Sequence, residues 1–289
     1  MSSPPTLVQA WTAARDRLKA AKLDSPVIDA RLLVEAAADA TRTDIITDPH
    51  RPLTAGQAAT LETYLSRREK REPVGRILGR QGFWKIMLNV TPAVLAPRPD
   101  TETVVDVALK AFPEAMGFQL LDLGVGSGAI MLAILAERPA ARGLGVDASE
   151  DALAVARENA ANLGLAGRAA FLRGDWAAGL EPASFDLVVS NPPYIPSADI
   201  ETLDPEVRDH EPRLALDGGP DGLDAYRTLA PQILAMLKPQ GLFAVEIGFD
   251  QSAAVQALFE EAGATQVRTV QDLAGRDRVV TGFNKALGN

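Results

Sequence analysis

From Thr6 to about Arg71, apolar residues recur at three- and four-residue spacing with alanine between them, the pattern of amphipathic helices packed as a small bundle. Ser25-Pro26 predicts a capped helix with a first-turn proline that runs to Ala38. Thr54 with Gln57 predicts a capping box on a later helix, and at least three helices are expected. Between Gly75 and Pro97 the period changes. Phe83, Ile86, Leu88 and Val90 sit among flanking glycines, which predicts a β-hairpin joining two domains. After Pro99, helical and strand-like segments alternate, as in a parallel sheet. A helix over 100–111 precedes a buried strand over 119–123, and further strands are predicted at 143–146, 169–172, 186–190 and 242–247. The last two, near 266–270 and 278–283, leave little room for a helix between them and predict an antiparallel edge hairpin. The expected domains are a helical one over 1–75, a hairpin connector over 76–97 and an α/β domain over 98–289.

Composition narrows the chemistry. The 289 residues include no cysteine, which excludes disulfides, thiolate zinc sites and thiol nucleophiles, and His50 and His210 are the only imidazoles. No metal is expected. No apolar run is long enough to span a bilayer and no secretion signal is apparent, so a cytoplasmic protein without membrane contact is expected. A net charge of −9 argues against a long phosphate backbone as partner and favours a protein or small-molecule substrate.

Asp122-Leu123-Gly124-Val125-Gly126-Ser127-Gly128 follows the first buried strand and opens a helix, where a parallel sheet presents a ligand at its carboxyl edge. The glycine spacing is not the G-x-G-x-x-G that seats a pyrophosphate, so a nucleotide-like cofactor other than a dinucleotide is favoured. Asp147 ends the second strand, where its carboxyl can accept from both hydroxyls of a ribose. The competing readings are a helix cap or a surface acid. Asp175-Trp176 ends the third strand, pairing an acid for an adenine amino group with an indole to border the ring. A core tryptophan beside a capping aspartate is the alternative.

The run Phe185 to Ser190 leads into Asn191-Pro192-Pro193-Tyr194 at the same sheet edge. Two prolines stiffen that turn and remove two donors, leaving the Asn191 side-chain oxygen and the Pro192 carbonyl as acceptors for both hydrogens of an NH2 group. An amide nitrogen is a poor nucleophile because its lone pair is delocalised. Holding both N–H bonds localises that pair and aims it at a methyl carbon, so orientation replaces a general base. Tyr194 offers a flat face to a planar amide or base. A positively charged sulfonium donor needs no metal, so the set predicts in-line methyl transfer from S-adenosylmethionine to a planar nitrogen. A merely rigid turn is the competing reading of the tetrapeptide.

With these residues placed, the chain resembles the protein-(glutamine-N5) methyltransferases that modify the Gly-Gly-Gln glutamine of bacterial peptide-chain release factors. The resemblance spans nearly the whole length and rests on 95–102 (LAPRPDTE), 122–128, 190–195 and 211–219 (EPRLALDGG). It implies a class I S-adenosylmethionine-dependent methyltransferase fold, Rossmann-like, with a mostly parallel seven-stranded sheet and an antiparallel edge hairpin. A small helical-bundle domain and a hairpin that help dock the release factor would precede it. It further implies that Asn191 and Pro192, followed by Pro193, hold the substrate amide, that Tyr194 packs on it, and that Gly124, Asp147, Trp176 and Asn191 contact the cofactor. Asp122, Gly126 and Gly128 of the loop join that cofactor set. Thr101 and Glu102 fall near the cofactor's methionine end, with a helix cap and first-turn acid as an equal structural account. Glu246 resembles a family acid near the site, against a strand-end carboxylate satisfied by backbone donors. Ala96 stands where the family often has an aromatic or long aliphatic residue. A monomer is expected.

Two rivals use the same chemistry. A nucleic-acid adenine or guanine amino methyltransferase would grip a flipped base on the same tetrapeptide, but it would want a basic groove. The one cationic run, Arg67-Arg68-Glu69-Lys70-Arg71, is interrupted by acid. A ribosomal-protein glutamine methyltransferase would differ chiefly in its docking surface. A cofactor-binding sensor and a dinucleotide oxidoreductase are more remote.

Overall fold

Five helices form the first part of the chain: α1 (Leu7–Ala20), α2 (Pro26–Ala38), α3 (Arg42–Thr47), α4 (Ala55–Glu69) and α5 (Val74–Leu78). This computed structural model describes residues 4–285, so 1–3 and 286–289, at the ends of the expected first and last domains, lie outside the described residues. Thr6, Thr41 and Thr54 each form a capping box with the residue three positions on, which satisfies the free first-turn N–H groups of α1, α3 and α4. Ser25, predicted as a cap, makes no side-chain cap bond, and Pro26 alone starts α2. Leu7, Leu18, Leu33 and Leu53 are buried in the core of this unit. Arg68, from the cationic run, is itself buried and pairs with Asp29 and Glu206 at 2.8 Å each, so its charge is spent internally. Glu206 belongs to a short helix, α9 (Pro205–Arg208), and the segment Asp204–His210 clusters with this helical unit.

The second unit holds Arg80–Leu203 and Glu211 onward. Its hairpin, β1 (Arg80–Phe83) and β2 (Ile86–Asn89), folds with the sheet domain and does not stand apart as a connector. Phe83 and Leu88 are buried in the same cluster as Val104 and Ile134. The Trp84 N–H donates to Glu102 Oε1 at 2.7 Å and the Asn89 N–H to Asn159 Oδ1 at 2.7 Å. The helix expected from Asp100 starts later: Pro99–Thr101 is a 3-10 turn closed by the Thr101 N–H on the Arg98 carbonyl, and α6 spans Glu102–Ala111.

The remaining elements are β3 (Gln119–Leu123), α7 (Ala129–Glu137), β4 (Arg142–Asp147), α8 (Glu150–Asn162), β5 (Ala169–Arg173), β6 (Phe185–Ser190), α10 (Asp224–Met236), β7 (Leu237–Glu246), α11 (Ser252–Glu261), β8 (Thr265–Gln271) and β9 (Asp277–Phe283). They build a seven-stranded sheet in the order β5-β4-β3-β6-β7-β9-β8, parallel except for β9, which runs antiparallel to both β7 and β8. β7 begins five residues before the predicted strand, at Leu237, and its register against β6 shifts between Phe185 and Leu187. The chain works outward from β3 through β4 to β5 and then returns to β6 on the other side of β3. The topological switch point, where such sheets bind ligands, is therefore at the carboxyl ends of β3 and β6. Among the described residues no helix is long and apolar enough to cross a membrane.

Candidate active site

Leu123 pairs with Ser190 across β3 and β6, so the glycine loop and Asn191 leave the sheet side by side. The Ser190 hydroxyl ties the two strand ends by donating to the Leu123 carbonyl at 2.7 Å. In front of them lies a cavity of ≈ 460 Å³, well within the range of small-molecule sites. Gly124, Gly126, Asp147, Trp176, Asn191 and Thr101 line it, together with Asp175 and Pro193.

The β4 end is prepared to accept hydrogen bonds. Asp147 Oδ2 accepts from the Gly126 N–H at 2.9 Å and Oδ1 from the Ser149 N–H at 2.9 Å. Each oxygen keeps a second lone pair, and the two are held at fixed positions beside the cavity. Trp176, in the left-handed region at φ 50, brings its indole beside the loop. A Cβ at Gly124, where φ is 74, would sit 3.4 Å from the Trp176 ring, so that glycine keeps open the slot between loop and indole.

Five expected site residues are not among those lining this cavity. Asp122 is buried beneath the loop, where Oδ2 accepts from the Met131 N–H at 3.2 Å and Oδ1 has no partner. Burial pushes its carboxyl up to about 7, opposed by the Met131 N–H and reinforced by Asp147. Gly128 is the N-terminal cap of α7. Glu102 is turned onto the Trp84 N–H. Pro192 packs inward as a buried ring. Tyr194 donates its hydroxyl to Glu246 Oε1 at 3.3 Å, a residue that does not line the cavity either.

Thr101 makes no cap bond, and its oxygen instead accepts from Asn191 Nδ2 at 3.2 Å. Among the described residues no hydrogen bond ends on Asn191 Oδ1 or on the Pro192 carbonyl. Glu246, at the end of β7, is buried among these residues. Burial pushes its carboxyl up to about 7, while the Thr101 hydroxyl, the Arg278 guanidinium and the Tyr194 hydroxyl favour the charged form and Asp100 disfavours it. Burial likewise raises the Tyr194 phenol above its ordinary value, so it remains a donor at neutral pH.

The two other family-like stretches meet in space. Glu211 has a fully buried side chain that accepts from the Ala96 N–H at 3.1 Å and from Arg98 at 3.0 Å, which fastens 95–98 to 211–215 as one wall of the cavity. Nothing in the sequence marked this clamp, because 113 residues separate its partners. Beyond it the Ile195 N–H donates to the Leu216 carbonyl and the Gly218 N–H to the Ile195 carbonyl, pinning the chain as it leaves Tyr194. A Cβ at Gly218 would lie 2.8 Å from Tyr194 Cα, so the two backbones pack with no room for a side chain.

A family profile described as "PrmC N-terminal domain" matches residues 9–79 and one described as "Methyltransferase small domain" matches 98–204. The chain is 69% identical over 282 residues to a "Release factor glutamine methyltransferase" of Caulobacter vibrioides, covering 98% of each protein. It is 48% identical to a relative of the same name from Rhodospirillum rubrum, covering 94% of this chain and 83% of the relative. Among solved structures, a T. thermophilus 16S rRNA N2 methyltransferase in complex with AdoMet and guanosine superposes with TM-score 0.52 at 20% identity, covering 71% of this chain and 50% of that one. A Pyrococcus furiosus methyltransferase gives TM-score 0.51 at 16% identity over 68% of this chain and 88% of that one. These two likenesses carry the fold, which is that of the class I methyltransferases. At full-length identity of this level, the chain belongs to the release factor glutamine methyltransferase family.

Proposed function

We propose that this chain methylates the side-chain amide nitrogen of the glutamine in the Gly-Gly-Gln motif of peptide-chain release factors, with S-adenosylmethionine as donor. The observation that carries the reading is the pair of acceptors left open in the turn beside the cavity, Asn191 Oδ1 on a residue that lines it and the carbonyl of the next residue, Pro192. An NH2 group is the ligand that satisfies both, and a glutamine amide presents one.

The residues fit the donor. Asp147 would take the ribose hydroxyls, Trp176 and Asp175 the adenine, and Gly124 and Gly126 would let the backbone approach it. Bound there, S-adenosylmethionine supplies a methyl group activated by its positive sulfonium. Asn191 and Pro192 would hold the substrate N–H bonds so that the nitrogen lone pair projects from the amide plane toward the cavity. Pro192 and Pro193 stiffen the turn, and Tyr194 anchors it from behind through Glu246 and, by its main-chain carbonyl, through Gln251 Nε2 at 2.9 Å. Thr101 lines the cavity and holds Asn191; Glu102, Asp122 and Gly128 would shape the surroundings without touching the cofactor. The proton lost on methylation would leave with solvent, since no histidine stands in the cavity lining.

The helical unit, with Val27 and Ile28 exposed on α2, would dock the release factor. Action in the cytoplasm, as a monomer, completes the reading. The test incubates the enzyme with methyl-labelled S-adenosylmethionine and, separately, release factors, their glutamine-to-alanine variants, ribosomal proteins and nucleic acids. Label on release factors that vanishes with the glutamine is expected. Label confined to ribosomal proteins or to nucleic acid would overturn the substrate assignment.

A further inference from the structure

Asn159 lies in the third turn of α8 and is 1% exposed, an unfavourable place for a short carboxamide unless its polar atoms find partners. They find them in two elements far away along the chain. Nδ2 donates to the Ser127 carbonyl of the glycine loop at 2.9 Å and to the Asn89 carbonyl at the end of β2 at 3.1 Å, while Oδ1 accepts from the Asn89 N–H at 2.7 Å. Both amide protons are therefore used, and the reversed carboxamide would set its oxygen against two carbonyls.

Ser127 lines the cavity and stands between Gly126 at φ 53 and Gly128 at φ 85, so local sterics do little to fix its peptide groups. Hydrogen bonds fix them instead. The Gly126 N–H is held from the β4 side by Asp147 Oδ2, and the Gly128 N–H donates to the Val125 carbonyl at 2.8 Å. Asn159 takes the Ser127 carbonyl, the other end of the Ser127–Gly128 peptide, onto α8. Asn159 is in turn braced, because the Asn89 main chain gives it one hydrogen bond and takes another. Asn89 belongs to the hairpin whose Phe83 and Leu88 are buried in the core of the sheet domain. One buried side chain thus fastens the glycine loop to the hairpin.

We propose, resting on the reading that this loop seats the cofactor, that Asn159 is a positioning residue: braced on Asn89, it fixes the Ser127 carbonyl and so presets the glycine loop for S-adenosylmethionine. A loop held before binding has less motion to lose when the ligand arrives, so the gain appears in affinity and not in the chemical step.

Calorimetric titration with S-adenosylmethionine tests this in three variants. Asn159→Ala should raise the Kd roughly tenfold, the scale of a lost buried hydrogen bond, with kcat on release factor at saturating cofactor within about threefold of the unsubstituted enzyme. Glu158→Ala removes only the neighbouring exposed bond from the Asn89 side chain, at 2.8 Å, and should leave the Kd unchanged. Gly124→Ala crowds the slot beside Trp176 and should weaken binding by its own route. Unchanged affinity in Asn159→Ala beside a loss in Gly124→Ala overturns the role of Asn159 alone, as does an equal loss in Glu158→Ala. Unchanged affinity in Gly124→Ala refutes the loop as the seat, and the proposal with it.

A second measurement needs no substituted chain to fold. Saturating S-adenosylmethionine should slow hydrogen exchange of the Asn89 amide at least about fivefold in the unsubstituted enzyme, because the loop it orders holds the carboxamide that holds this amide. A role for Asn159 in packing alone would lower the melting temperature of Asn159→Ala without producing this response. An Asn89 amide that exchanges equally fast with and without the cofactor overturns the proposal.

Discussion

Asn191 Nδ2 donates to Thr101 Oγ1 at 3.2 Å, and this bond leaves the carboxamide oxygen as the end without a partner among the described residues. Removing the oxygen should therefore cost chemistry more than binding. Asn191→Ala is expected to lower the single-turnover rate by about 100-fold or more, the scale seen when one preorganised polar contact to a reacting group is deleted, while S-adenosylmethionine affinity falls only modestly. Single-turnover kinetics alongside calorimetric binding check this. A loss confined to affinity would mean that the turn only seats the cofactor.

Tyr194 supplies a pH prediction. Its hydroxyl favours the charged form of Glu246, whose carboxyl burial holds up to about 7, so the stability that the bound proton provides is lost as pH rises through that value. Tyr194→Phe removes the support and moves the carboxyl further up, so that more stability is lost on ionisation. The melting temperature of Tyr194→Phe relative to the unsubstituted protein should fall between about pH 6 and about pH 9, and a difference that does not vary with pH contradicts the assignment.

Asp122 makes a stability prediction of known sign. Its carboxyl lies near 7 in the folded chain, above its ordinary range, so the folded state binds the proton more tightly than the unfolded state. The stabilisation this provides is complete below the ordinary carboxyl range and is lost as pH rises through about 7. Asp122→Asn removes the buried charge. Its melting temperature relative to the unsubstituted protein should climb between about pH 5 and about pH 8, by several degrees, and a difference that does not vary with pH would contradict the burial argument.

Arg98 and Glu211 form the clamp of the cavity wall, with the Glu211 side chain fully buried. Arg98→Ala removes one charged hydrogen bond from that buried carboxyl and should cost about 1 to 3 kcal/mol of stability. Because 95–98 and 212–215 line the cavity, S-adenosylmethionine binding should weaken as well. Thermal unfolding with and without the cofactor measures both effects, and a variant with normal stability and affinity would show the clamp to be incidental.

Where local chemistry sets a residue's place, the sequence carried it. The glycine loop after a buried strand, Asp147 one strand later and Asn191 at the mouth of β6 all stand at the predicted sheet edge, because hydrophobic runs and strand alternation determine which ends converge. Roles set by distant partners were not legible. Thr101 and Glu102 read equally as residues near the cofactor's methionine end and as a helix cap with a first-turn acid. The 3-10 turn at Pro99 delays α6, turning Thr101 to Asn191 and Glu102 to the Trp84 N–H of the hairpin. Tyr194 read as a stacking face, and nothing local announced that its hydroxyl bonds to Glu246, 52 positions away. The hairpin read as a connector because its pattern shows that Phe83 and Leu88 alternate, but not which core receives them.

On the proposed reading, Asn191 and Pro192 hold an amide nitrogen for methylation, and locating the methyl group tests that most directly. Release factor taken through one turnover is digested and the Gly-Gly-Gln peptide sequenced by tandem mass spectrometry. The account predicts one added methyl on the glutamine side-chain nitrogen, absent from the product of Asn191→Ala in the same time. A methyl group on any other residue, or a glutamine left unmodified while methyl groups are consumed, would contradict it.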